Sequence, residues 1–116
     1  MNNGSANNAI YLWGTGISSN GMPVFKVGHT STRRGDKRIQ IVAKRWGFTP
    51  KTIRLEETSA PATSVERLLI RIGQAADMSP FVGYRTDGKT EFRTMTDGEL
   101  TEAIAIIDAH TKQRDK

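Results

Sequence analysis

The chain predicts an α/β (α+β) domain in which a three-stranded antiparallel sheet is flanked by helices, with an additional C-terminal hairpin and helix. Three observations predict it. Two short β-branched and aromatic runs, Ile10–Trp13 and Val24–Gly28, enclose the turn-rich stretch GTGISSNGMP, which reads as a hairpin with a long loop. Two later segments repeat apolar residues at the i, i+3, i+4, i+7 spacing of an amphipathic helix. A third apolar stripe follows an S/T-x-x-E box, the signature of a helix start. A length of 116 residues suits one domain, long enough to bury roughly two thirds of its unfolded surface.

Each element follows in turn. The polar start MNNGSANN has neither a charged leader nor an apolar stretch, so residues 1–8 read as a disordered tail ahead of a single domain over 9–113. After the hairpin, Ile39, Val42, Ala43 and Trp46 form one helical stripe from about Asp36, and Gly47 is placed to end it. KTIRLEE alternates as a third strand. In SAPATSVERLLIRIG, the residues Val65, Leu68, Leu69 and Ile72 predict a second helix with Gly73 as its stop. FVGYRTDGKTEFRTM reads as two strands about an Asp87–Gly88 turn. Thr96 and Glu99 then cap a last helix carrying Leu100, Ala103, Ile104 and Ile107.

Charge narrows the class of partner. The net charge is +5 with a pI of about 9.9, which favours a polyanion. Eight of the seventeen basic residues, namely Arg33, Arg34, Lys37, Arg38, Lys44, Arg45, Lys51 and Arg54, fall in one window of 22 against the single acid Asp36. Solvated helix faces ordinarily mix signs, so this window predicts a phosphate-binding patch in which Arg33, Arg34, Lys37, Lys44 and Arg45 contact nucleic acid. The absence of cysteine excludes disulfides, thiolate metal sites and thiol nucleophiles, and agrees with a cytoplasmic location. No apolar run approaches the ~18 residues of a membrane span.

The chemistry-bearing residues are sparse. Lys26 interrupts an apolar strand, and His29 follows Gly28 directly; imidazoles are the usual proton carriers near neutral pH. Glu66 lies one residue off the second helical stripe, at the border of core and solvent. Taken in order, Ala9-Ile10-Tyr11, then Lys26-Val27-Gly28-His29-Thr30, an arginine on the next helix and a glutamate on the one after it resemble the GIY-YIG nuclease superfamily. The likeness is to the small phage and bacterial branch whose second motif reads K-[IV]-G-[YH]-T, and it runs from about Ala9 to Arg93.

The resemblance implies a site. Tyr11 and His29 would handle the proton, with either as the base. A phenol ordinarily ionises near pH 10, so Tyr11 in that role needs a cation such as Lys26 to lower it. Lys26 would otherwise be an edge-strand charge that discourages aggregation. Arg38, with Arg33 or Arg34 as substitutes, would clamp the scissile phosphate through its guanidinium fork. Glu66 would hold Mg²⁺ or Mn²⁺, since one carboxylate plus waters and substrate oxygens suffices for such an ion. Glu91, in TEFR, is the secondary candidate, alternatively a strand residue paired with Arg85 or Arg93.

The implied function is a divalent-metal-dependent DNA endonuclease acting on double-stranded or branched DNA, with RNA as a further candidate substrate. A homodimer or a partner protein would supply specificity. Three departures from the family pattern, Ala9 in place of glycine, Val42 where relatives carry His or Tyr, and no asparagine after Asn20, sustain the alternative of a catalytically inactive nucleic-acid-binding module with the same fold.

Overall fold

A computed structural model describes residues 8–31, 35–77 and 91–112. The elements are β1 (Ala9–Ser19), β2 (Met22–Thr30), α1 (Gly35–Trp46), β3 (Lys51–Glu57), α2 (Ala62–Leu69), β4 (Gln74–Ala75), β5 (Phe92–Thr94) and α3 (Asp97–Ala109). They build an antiparallel sheet of order β3-β1-β2-β5-β4. The expected tail and arginines 33 and 34 lie outside the described residues, apart from Asn8, as do Arg85 and the Asp87–Gly88 turn.

Among the described residues the sheet has five strands, not the expected three. The extra two arise because the C-terminal strand does not stand apart: β5 pairs with β2, Lys26 opposite Phe92, and carries β4 on its outer side. Burial drives this docking. Phe92 is fully buried, 4.8 Å from the Trp46 ring and 5.9 Å from that of Phe48, and edge-to-face pairs of this kind add to the area they remove from water.

Both faces of the sheet are covered. On one, Tyr11, Trp13, Val24 and Phe92 pack with Ile39, Val42 and Ala43 of α1. On the other, Ile10, Leu12, Phe25 and Val27 pack with Val65 and Leu69 of α2 and Ala103 and Ile107 of α3. Because side chains alternate along a strand, Lys26 and Gly28 belong to the α1 side, and Val27 and His29 to the α2 side. Trp13, a candidate for base stacking on chemistry alone, is fully buried.

Local signals set the element ends. Asn20 and Gly21 take positive φ (53° and 79°) between the paired Ser19 and Met22, the two-residue turn that suits the twist of a hairpin. Gly47 (φ 80°) ends α1, with its N–H donating to the Lys44 carbonyl and that of Phe48 to Ala43, so the last carbonyls are satisfied. Thr96 and Glu99 cap α3 reciprocally. The helix α2 stops at Leu69, short of the expected Gly73. Gly73 (φ 69°) instead sits where a Cβ would strike the Thr94 carbonyl, and Arg93 donates to the carbonyls of Ile72 and Gly73, both at 3.1 Å. Leu68, expected on the buried stripe, is exposed. No helix of the described residues is long and apolar enough to cross a membrane.

Candidate active site

Six side chains meet where the first half of β1 runs beside the second half of β2: Tyr11, Lys26, His29, Arg38, Glu66 and Glu91. They come from five elements or their borders. The two central strands supply the first three, the opening turn of α1 supplies Arg38, α2 supplies Glu66, and Glu91 immediately precedes β5.

Tyr11 is almost wholly buried and faces Gly28 across the β1–β2 ladder. A Cβ at residue 28 would overlap the phenol oxygen and its ring carbon, so glycine there makes room for the tyrosine. The expectation that cations lower the phenol is overturned: it is pushed up to about 12, by burial first and then by the Glu91 charge, with Arg38 pulling the other way. Burial penalises the phenolate more than the neighbouring cation favours it.

Lys26 does not lie on an edge, since β2 is flanked by β1 and β5. Its ammonium pairs with Glu91, donates to the Val27 carbonyl at 3.2 Å, and stands 5.6 Å and 5.3 Å from the centroids of Tyr11 and Phe92. Burial lowers its pKa, and Glu91 partly restores it. Glu91 therefore has Lys26 as its ion-pair partner; Arg93, the neighbour anticipated for it, is spent on backbone carbonyls.

Glu66 is buried, a consequence of lying beside Val65 and one turn before Leu69 and Ile70 on a sheet-covering helix. One carboxylate oxygen is hydrogen-bonded to His29 Nδ1. Burial holds the Glu66 carboxyl above its ordinary value, His29 opposes this, and the Glu91 carboxyl beside it reinforces it. With the proton on Nδ1, His29 donates to Glu66 and keeps Nε2 as an acceptor, the orientation a carboxylate imposes on an imidazole.

Among the described residues no three His, Cys, Asp or Glu side chains gather into a group that could hold a metal ion. The donor chemistry at the site is instead a pair of carboxylates, Glu66 and Glu91, oxygen donors of the type a hard divalent ion takes along with water and substrate oxygens. The pair fits Mg²⁺ or Mn²⁺ and does not fit an enclosed nitrogen–sulfur zinc site.

Outside this cluster, Lys37, Lys44 and Arg45 are exposed on α1 beside Ile41. Arg54, counted with the basic window, turns to α3 instead, where Nε and Nη2 reach Asp108 at 2.9 Å and 3.2 Å. Comparison of the chain with protein-family models, with curated proteins and with solved structures finds no significant match.

Proposed function

We propose that the protein is a divalent-metal-dependent endonuclease that hydrolyses DNA phosphodiester bonds. The observation that carries this reading is the convergence of two cations, an imidazole, a phenol and two carboxylates at one end of the sheet, beside the exposed basic face of α1. Diester hydrolysis needs a proton acceptor for water, positive charge against the phosphoryl oxygens, and a proton for the leaving oxygen.

The roles follow from the surroundings of each group. His29, oriented by Glu66, takes the proton from water at Nε2. Tyr11, held protonated by burial, donates its O–H to a phosphate or leaving oxygen, and so takes the role of donor in place of base. Arg38 and the ammonium of Lys26 neutralise the phosphate, the first as a planar fork and the second as a point charge fixed by Glu91. Glu66, with Glu91 beside it, would hold the divalent ion, which when bound supplies charge neutralisation at the phosphoryl group and acidifies water. Lys37, Lys44 and Arg45 hold flanking phosphates.

Plasmid nicking in the presence of Mg²⁺ or Mn²⁺ tests this, comparing wild type with Glu66→Ala. Cutting by wild type that the variant loses is expected, and a matched RNA assigns the sugar preference. A second reading, a nucleic-acid-binding module without turnover, draws on the exposure of the α1 basic face, which is open to solvent while the cluster is largely buried. Salt-sensitive binding with no cutting would select it.

A further inference from the structure

The two carboxylates of the cluster arrive on different segments of the chain. Glu66 rides on α2, packed over one face of the sheet, whereas Glu91 stands immediately ahead of β5. Their carboxyl groups are in hydrogen-bonding contact. Two carboxylates held side by side repel when both are charged, so the contact persists only if the backbones that carry them are fixed to one another. The two-residue β4 ladder, Gln74 opposite Thr94 and Ala75 opposite Arg93, joins the end of α2 to β5. A ladder so short is marginal alone.

Arg93 supplies the missing tie. Strand register places it opposite Phe25, on the α2 side of the sheet. From there its buried side chain crosses to the end of α2, where Nε donates to the Ile72 carbonyl and Nη2 to that of Gly73, each at 3.1 Å. Burying a guanidinium is costly unless its donors are used, and the planar fork spans two carbonyls as an ammonium does not. A run of main-chain bonds leads from those carbonyls back to the first carboxylate: the Ile72 N–H donates to Leu69 at 3.0 Å, that of Arg71 to Leu68 at 3.3 Å, and that of Ile70 to Glu66 itself at 3.0 Å. Gly73 leaves no slack, since a Cβ there would lie 2.1 Å from the Thr94 carbonyl oxygen. The circuit is closed by the carboxyl contact, because Glu91 lies two residues before Arg93 on the same strand border.

We propose that Arg93 is a positioning residue: by clamping the end of α2 to β5 it sets the separation of the Glu66 and Glu91 carboxylates, and through that separation the affinity of the pair for a divalent ion. The inference rests on the reading of the two carboxylates as the metal-holding part of the cluster. Both hydrogen bonds of Arg93 go to main chain, so its effect passes through the two glutamates and not through contact with substrate.

The test is a double-mutant cycle read by urea unfolding at pH 8 in chelator, so that neither metal nor turnover takes part. Glu66→Gln, Glu91→Gln and the pair are measured in the wild-type background, in Arg93→Met, in Arg93→Lys, and in Ile107→Val, a small core loss on α3. In the wild-type background the effect of Glu66→Gln on the unfolding constant differs about tenfold with and without Glu91→Gln. The factor falls to about threefold in Arg93→Lys and to about one in Arg93→Met, and stays about tenfold in Ile107→Val. Arg93→Lys carries the comparison if Arg93→Met does not fold. A second arm follows the rise in melting temperature on adding Mn²⁺ alone, expected in wild type and Ile107→Val and reduced in the Arg93 variants. Uncoupled glutamates in the wild type overturn the proposal, as does coupling that survives both Arg93 substitutions. Coupling lost equally in Ile107→Val overturns it too, since any destabilisation would then suffice. A wild type whose coupling depends on Arg93 but which takes up no Mn²⁺ and nicks no plasmid keeps the clamp and removes the metal-dependent nuclease reading alone.

Discussion

Tyr11 and Gly28 face one another across the two central strands, and the Tyr11 hydroxyl fills the space that any side chain on residue 28 would need. The contact joins the first and second sequence motifs physically: the glycine is the floor on which the phenol rests. Replacing Gly28 by alanine should force the ring aside at a cost of about 1–3 kcal/mol, the usual penalty of overpacking. Thermal unfolding reads the loss, and cleavage should fall further than stability does. Wild-type stability in Gly28→Ala would show that the ring moves without cost.

The Tyr11 phenol should titrate late. Its value of about 12 in the fold against 10.0 ordinarily means the folded state keeps the proton longer. The associated stability is complete below pH 10 and drains away as the pH rises through about 12. Phenolate absorbance followed to high pH, with Tyr11→Phe as the blank, should show a component ionising near 12 that the variant lacks, together with alkaline unfolding over the same interval.

The Lys26–Glu91 pair should respond unequally to the loss of either partner. The lysine side chain is 4 % exposed and the glutamate 29 %, so Lys26→Met leaves a carboxylate that water can reach, whereas Glu91→Ala strands a buried ammonium. Glu91→Ala should cost about 3 kcal/mol at neutral pH and Lys26→Met less than about 1 kcal/mol. Burial already lowers the Lys26 pKa, so in Glu91→Ala stability should recover as the pH climbs through the ordinary value of 10.5, above which the amine is neutral in both states, and weaken on the way down. Urea unfolding of both variants at pH 7 and pH 10 decides it.

Glu66→Gln should make the protein more stable and abolish metal-dependent cutting. Burial and the adjoining Glu91 raise the Glu66 pKa, so its contribution to stability is whole below the ordinary value of 4.5 and is lost as the pH rises through the folded value. The amide removes that loss while still accepting a hydrogen bond from His29. The melting-temperature gain should be present at pH 8 and fade towards pH 4, and a variant less stable than wild type at pH 8 would contradict it.

What could be read in advance was whatever depends on neighbours in the chain. The Ile39–Val42–Ala43–Trp46 stripe, Gly47 as a helix end and the Thr96–Glu99 cap are local patterns, and all are present; the first hairpin is present too, but the long loop expected over GTGISSNGMP is strand up to Ser19 and closes in the two-residue Asn20–Gly21 turn. Strand partnership is not local. Gln74–Ala75 carries no alternation from which to read a strand, and nothing near Phe92 says that its ladder partner is Lys26. Six of the candidate residues could be named, yet their surroundings could not: Glu91 meets a lysine 65 positions away, and the direction of the Tyr11 shift depends on burial by elements from the whole chain.

The alternation along β2 sends Lys26 and Gly28 to one layer and Val27 and His29 to the other. Inserting a single amino acid between Phe25 and Lys26 would therefore transpose the ammonium and the imidazole, pressing each into the opposite layer, and an insertion between Lys26 and His29 would crowd both onto one side. The Asn20–Gly21 tip carries no such constraint. Loop grafts and new chain ends belong there, whereas length changes beside the cluster would scramble both compartments at once.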